Sequence, residues 1–276
     1  MKERLRSLLR SVPPGPAARN RVREALQASI LLALQRSGAM IPLAFHGGTA
    51  LRFLFSIPRY SEGLDFALER PGGGYDLSAY LEAAQRDLRR EGYTPEIAKL
   101  QTTRVVQSGF VGFPGLLHEF GVSGKRDEAL RIKIEVDTNP PPGAGLQTSI
   151  VRRYELLRIQ HHDRASLLAG KLHAVLQRPY PKGRDFFDLV WYLADPDWPA
   201  PNLVMLNAAL AQSGWKGRAL TESTWPKAVR VRIADLPWPR LLADARPLLE
   251  PPADESLLTE QTLVGLLERR LARRSI

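Results

Sequence analysis

Between residues 130 and 137 the chain alternates without a break. Leu130, Ile132, Ile134 and Val136 are apolar, and Arg131, Lys133, Glu135 and Asp137 between them are charged. A period of two marks a strand with one dry and one wet face, and the dry face needs a covering layer. Short strands are also expected at residues 42–46 and 64–68, with β structure broken by Gly109 and Gly112 over 102–113. Helical spacing supplies the cover. Leu26, Ile30, Ala33 and Leu34 share a face of a helix over 19–37, closed by Gly38. Thr49–Phe55 resumes a helical pattern, and Asp76 caps a helix running to Glu91 after a loop at Gly72, Gly73 and Gly74. A short basic helix over 1–12 stops at Pro13, Pro14 and Pro16.

The Pro/Gly run at 139–145 closes the strand-rich part, and from about residue 150 the pattern reads as helical. Asp163 caps a helix to Gln177, and others are expected over 186–193, 202–213, 239–249 and 259–273. The expected fold class is α+β. A mixed sheet with flanking helices fills residues 1–145, and an α-helical C-terminal part fills 146–276.

The absence of cysteine removes disulfides, thiolate metal sites and cysteine nucleophiles. The five histidines, at 46, 118, 161, 162 and 173, form no metal-binding spacing, although a carboxylate-held Mg²⁺ needs none. The longest apolar stretch, Ala28 to Leu34, is far short of a membrane span, and the basic opening residues lack a signal-peptide core. A soluble, cytoplasmic protein with no membrane partner is the expectation. The formal charge of +10 favours a polyanionic partner, with nucleic acid ahead of membrane.

Two polar islands carry the chemistry. In the first, a strand ending in His46-Gly47-Gly48 enters a helix at Thr49. Glycines there admit close backbone approach, and free N–H groups at the positive end of the helix dipole attract phosphate. Asp65, in the next strand, brings a carboxylate beside that site and suits Mg²⁺ on a triphosphate. The same turn also serves as a plain strand–helix junction. In the second island, Lys171 and Arg178 share a helix face seven residues apart, and Asp185 and Asp188 share a face of the next helix. Either the cluster grips phosphate through Lys171, with Asp185 as base or metal ligand, or it is a helix-hairpin ion-pair network.

Together, in this order, the islands resemble the AbiEii/AbiGii nucleotidyltransferase toxin family, whose core is polymerase-β-like. The first island matches at Gly47, Gly48, Thr49, Ala50, Leu51, Arg59, Tyr60, Ser61, Asp65 and Phe66. The second matches at Lys171, Leu172, Ala174, Arg178, Arg184, Asp185, Asp188 and Leu189, with Val175 where the family has Leu. The resemblance implies a nucleotidyltransferase-like sheet whose cleft the helical part completes. It also implies an NTP substrate with Mg²⁺ and a toxin with an antitoxin or operon partner. It carries catalytic roles onto Asp65, Lys171 and Asp185, and nucleotide binding onto Gly47, Gly48, Thr49, Arg59, Ser61, Arg178 and Arg184. Charge makes RNA the expected acceptor, and the resemblance, to a family some of whose members modify tRNA ends, puts tRNA first.

One departure matters. The first Asp of the family's Asp-x-Asp pair falls on Gly63, so a single carboxylate, Asp65, remains where two would face a metal. Either catalysis is lost, or it survives on Asp65 with Asp185 and a strand acid, or Gly63 is an inactivating change in a gene toxic to its host. Glu62 belongs to the opposite strand face. Glu135 and Asp137 are both placed to supply a third acid to the metal, and both also suit a solvated face beside Arg131 and Lys133. His46 is read as structural, and the five tryptophans as core or partner-facing. The run Arg269, Arg270, Arg273, Arg274 either binds RNA phosphates or is a solvated helix end. The competing functions are a non-catalytic nucleotide- or RNA-binding protein on the same scaffold and an enzyme that nucleotidylates or phosphorylates protein.

Overall fold

The computed structural model describes residues 2–70, 74–251, 253 and 255–272. Gly72, Gly73, Arg273 and Arg274 lie outside these described residues. The chain divides into two compact units, Met1–Pro140 with Gln147–His161, and Pro141–Leu146 with His162–Ile276.

The first unit is built on a mixed sheet. Its strands are β1 (Leu43–His46), β2 (Leu64–Leu68), β3 (Glu96–Gln101), β4 (Val106–Pro114), β5 (Ala129–Asp137), β6 (Leu146–Arg152) and β7 (Leu156–His162), in the order β3-β4-β5-β2-β1-β7-β6. Strands β1 and β2 pair antiparallel, whereas β2 with β5 and β1 with β7 are parallel. The alternation of β5 holds in space: Leu130, Ile132, Ile134 and Val136 are buried and Arg131 is exposed. The helices here are α1 (Lys2–Leu9), α2 (Pro16–Arg36), α3 (Gly47–Phe55), α4 (Leu77–Arg90) and the single turn α5 (Leu116–Glu119). Pro16 opens α2, where its missing N–H costs nothing, and Asp76 caps α4 by accepting from the N–H groups of Ser78 and Ala79. Helix α2 is buried around most of its girth, so its polar residues Glu24 and Gln27 are buried with Leu26, Ile30 and Leu31. Each therefore has to find a partner inside the fold.

The helical reading from residue 150 onward is corrected over 146–162, where β6 and β7 extend the sheet. Inward-facing Leu157 and Ile159 alternate with exposed Leu156 and Arg158, a period of two that basic neighbours and the preceding Pro/Gly run obscure. Buried His161 shares a 2.8 Å hydrogen bond with the Ser149 hydroxyl.

The second unit holds α6 (Arg164–Gln177), α7 (Gly183–Ala194), α8 (Leu203–Gln212), α9 (Trp225–Ile233), α10 (Trp238–Ala245) and α11 (Glu260–Ala272). Asp163 caps α6 through the Ser166 N–H at 2.8 Å, and Asn202 caps α8 through that of Met205. Helix α9 was not expected from the sequence; Pro226 in its first turn reads as a breaker until its place at the helix start is known. The terminal basic run is not simply a solvated or RNA-facing end. Arg270 donates to the carbonyl oxygens of Trp198 and Asp195, both at 2.8 Å, fastening α11 to the end of α7. Trp191, Tyr192 and Trp198 stack edge to face, with the Arg164 guanidinium 4.2 Å from the Trp198 ring centre.

Candidate functional site

In the first unit the strand–turn–helix β1–α3 forms a crowded cradle. Gly47 has φ +74°, and a Cβ built there would stand 2.5 Å from Asp65 Oδ2. A Cβ on Gly48 would stand 2.5 Å from an Arg59 guanidinium nitrogen and 3.2 Å from Ser61 Oγ. At Gly47 the positive φ itself calls for glycine and the carboxylate closes on the backbone, whereas at Gly48 the crowding comes from the ends of the Arg59 and Ser61 side chains. The N-cap residue of α3, His46, makes no side-chain cap bond to the helix, whose N-terminal residue pair lies between these groups. The first-turn N–H groups and the helix dipole thus give an anion-attracting end.

The loop from Arg59 to Gly63 is pinned from beneath. Buried Gln27 of α2 donates to the Ser61 carbonyl at 3.1 Å and reaches that of Gly63 at 3.4 Å. The Thr49 hydroxyl donates to the same Gly63 carbonyl in a very short contact. What Thr49 offers a phosphate is therefore backbone rather than hydroxyl. Arg59 is buried, donates to the Tyr60 carbonyl at 2.9 Å and braces the turn. Glu62 acts electrostatically on Arg23 of α2, whose guanidinium burial pushes toward the neutral form while Glu62 opposes it.

Strand register sorts the strand acids. Asp65 lies opposite His46 on one side and Glu135 on the other, whereas Asp137 lies opposite Ala67. In-register residues of adjoining strands share a face, so Asp65 and Glu135 are neighbours and Asp137 is one step farther along. Asp137 also accepts from the Asn139 N–H at 3.0 Å. Lys133, on the same face as Glu135, donates to Glu135 Oε1 at 2.7 Å. Among the described residues no group of three or more His, Asp or Glu is placed to hold a metal. The pair Asp65 and Glu135 still suits Mg²⁺, which characteristically takes one or two carboxylates and completes its shell with phosphate and water.

A second cluster, which sequence reasoning missed, supports α3. Arg52 Nε and Arg153 Nε both donate to Glu24 Oε1, at 2.6 and 2.8 Å, and Tyr154 Oη donates to Glu24 Oε2 at 2.7 Å. Burial and the Glu24 charge push the Tyr154 phenol well above its ordinary range. The available signal was Glu24, the one acidic residue of a helix that carries four arginines, with Gln27 one turn on.

In the second unit, α6 and α7 bring four charged groups together. Lys171 Nζ lies 2.7 Å from Asp185 Oδ1 and 2.7 Å from Asp188 Oδ2. Arg178 donates to the other Asp185 oxygen at 2.7 Å. Asp188 is fully buried and Asp185 nearly so. Burial alone would raise the Asp185 carboxyl, but Lys171 and Arg178, with Arg184 farther off, outweigh it and hold the group below the usual range. A carboxylate with a cation on each oxygen is a poor proton acceptor and a good orienting group. Half-buried Arg184 follows Gly183 at the start of α7. Arg232 of α9 fixes the end of α6 through the carbonyls of Val175 and Arg178, at 3.2 and 3.0 Å.

The family model described as nucleotidyl transferase AbiEii toxin, type IV toxin–antitoxin system, matches residues 29–260, which include the cradle at Gly47–Asp65 and the Lys171–Asp188 cluster. The chain belongs to this family. It is therefore a nucleotidyltransferase of the toxin–antitoxin type, with a nucleotide substrate and an antitoxin partner implied by membership. Two solved structures share the fold. JHP933 from Helicobacter pylori is 18% identical, with 93% of this chain and 94% of that one covered at a TM-score of 0.55. A second H. pylori protein, described as a candidate nucleotidyltransferase, is 17% identical over 92% and 95% of the two chains, with a TM-score of 0.56. The nucleotidyltransferase toxin MenT4 from Mycobacterium tuberculosis H37Rv is 18% identical over 97% and 98%, with a TM-score of 0.48. No curated protein matches. Among the described residues no helix is long and apolar enough to cross a membrane.

Proposed function

We propose that this toxin transfers a nucleotide from an NTP to a hydroxyl of RNA, with tRNA the first acceptor to test. The observation that carries the reading is the cradle at Gly47 and Gly48, an anion-attracting helix start with Asp65 packed directly against it. The backbone of Gly47, Gly48 and Thr49 and the Ser61 hydroxyl hold phosphate oxygens, and Arg59 keeps the turn in shape. Asp65 and Glu135 are the residues to hold Mg²⁺. When bound, Mg²⁺ neutralises triphosphate charge and favours displacement at phosphorus. In the second unit, taken by itself, Lys171 is a phosphate-binding cation whose ammonium Asp185 and Asp188 orient. Arg178 and Arg184 add positive charge to the same helix ends.

The transfer itself balances simply. The acceptor oxygen forms a bond to the α-phosphorus and the bond to the bridging oxygen breaks. Pyrophosphate leaves with that electron pair, and the acceptor proton passes to solvent or to a carboxylate of the first unit. Asp185 is unsuited to take it. The formal charge of +10 supports a polyanionic acceptor.

The test is incubation with each α-labelled NTP, Mg²⁺ and total tRNA, with Asp65→Ala as the inactive control. Label in RNase-sensitive product supports the reading. Label on polypeptide would assign the activity to protein modification, and nucleotide binding without any transfer would assign a binding role to the scaffold.

A further inference from the structure

Position 63 is where the family's first metal-binding acid falls, and its surroundings carry a different charge. A Cβ on Gly63 would stand 3.0 Å from the Lys133 carbonyl oxygen and 3.7 Å from Lys133 Cβ. Register agrees: Leu64 pairs with Ile134 and Asp65 with Glu135, so Gly63 lies beside Lys133. Across β5, Lys133 faces Phe110 and Glu135 faces Ser108, neither of which is charged. The column therefore reads Gly63 and Asp65 on one strand, Lys133 and Glu135 on the next. The Lys133 ammonium already rests on Glu135 at 2.7 Å, with its side chain 40% exposed and open to a ligand.

As an ordinary surface pair this contact is worth little. Its place gives it another meaning. Two carboxylates against one ammonium leave a single net negative charge, where an acid at 63 and no lysine would leave three. A site of three negative charges gathers divalent ions; a site of one does so weakly and presents a fixed cation to phosphate as well.

We propose that Lys133 is a catalytic cation of the transfer site, its ammonium replacing the charge of a second divalent ion that an acid at position 63 would have helped to hold. The site takes one divalent ion, and Lys133 contacts the triphosphate directly. This rests on the nucleotidyltransfer reading of the cradle, but it is tested by binding, so the two fail separately.

The experiment uses the full chain and its Lys133→Met and Lys133→Arg variants. Thermal melts come first, and a half-exposed lysine at a strand face should shift them little. Mn²⁺ alone is titrated by calorimetry, a non-hydrolysable NTP analogue is titrated in EDTA, and bound Mn²⁺ per protein–analogue complex is counted by electron paramagnetic resonance. Lys133→Met should tighten Mn²⁺ binding and weaken metal-free analogue binding, each on the order of tenfold, the scale of one close charge pair. Lys133→Arg should keep the analogue affinity near that of the parent, and the parent complex should hold one Mn²⁺. Analogue and Mn²⁺ affinities within twofold of the parent in Lys133→Met would overturn the proposal. So would two Mn²⁺ in the parent complex, or a parent chain that binds neither probe. If these shifts occur while no transfer to RNA or protein is found, Lys133 stands as a phosphate-binding cation and the transfer reading falls.

Discussion

Gly47→Ala is the sharpest probe of the cradle, because two separable penalties meet there. The first is conformational: at φ +74° an alanine costs about 1–2 kcal/mol that glycine avoids. The second is steric. The new methyl would stand 2.5 Å from Asp65 Oδ2 and 3.1 Å from Asp65 Cβ, so the carboxylate must retreat. Restoring ordinary contact near 3.5 Å takes a shift of about 1 Å. A displacement of that size at a reacting centre costs about a hundredfold in rate.

The expected result is a fall in the kcat/KM of transfer of about a hundredfold, far more than a loss of about 1–2 kcal/mol in stability explains in a protein that stays folded. A double-mutant cycle with Asp65→Ala separates the two penalties. Without the carboxylate only the 3.1 Å approach to the Cβ of residue 65 remains beside the conformational cost, so Gly47→Ala should destabilise the Asp65→Ala chain less than the parent. Urea unfolding of the four chains gives the coupling, and single-turnover transfer gives the rate. Equal destabilisation in both backgrounds, or a Gly47→Ala chain within twofold of the parent rate, would refute the claim that Asp65 is set by the Gly47 backbone.

Three other expectations follow from the same geometry. Gly63→Asp must push the β5 backbone by a few tenths of an ångström and sets its new carboxylate beside Lys133. Alone it should therefore raise Mn²⁺ affinity only modestly, whereas Lys133→Met should impair transfer with Gly63 present and improve it together with Gly63→Asp; the same sign in both backgrounds would exclude interchange of the two charges. Asp188→Asn removes one of two carboxylates from Lys171 in a fully buried place and should cost about 3 kcal/mol in urea unfolding. Lys171→Met, which leaves two buried carboxylates facing each other, should cost more. The Asp185 carboxyl is held below its unfolded value, so its contribution to stability is full above about pH 4 and is lost as pH falls through the lower folded value. Melting temperatures between pH 5 and pH 2.5 should accordingly drop more steeply for the parent than for Asp185→Asn, and parallel curves would show that Asp185 does not supply this pH dependence.

Local signals were legible in the sequence and long-range ones were not. Asp76 and Asp163 cap their helices as expected because a cap is a bond to a residue two or three positions away. The alternation in β5 was readable because four charged residues mark its wet face. In β7 the same period was hidden, since Leu156 on the exposed side is as apolar as its buried neighbours and His161 on the buried side is polar. The bond from Gln27 to the Ser61 carbonyl spans 34 residues, and Arg153 reaches Glu24 across 129. No window of sequence contains either pair.

Register is the deepest of these long-range facts, and it decides the chemistry. Glu135 and Asp137 are equivalent in any strand pattern, both on the polar face and two residues apart. Only the pairing of β2 with β5 puts Glu135 beside Asp65 and Asp137 beside Ala67, and a slip of two residues would bring Asp137 to Asp65 and carry Glu135 to Gly63. The same pairing sets Lys133 against Gly63 and deepens the loss of negative charge that the missing carboxylate begins. Read along the chain, Gly63 is a missing ligand. Read across the sheet, it is the open side of a lysine whose ammonium already sits on the neighbouring acid, which is why substitutions at 63 and 133 have to be made together.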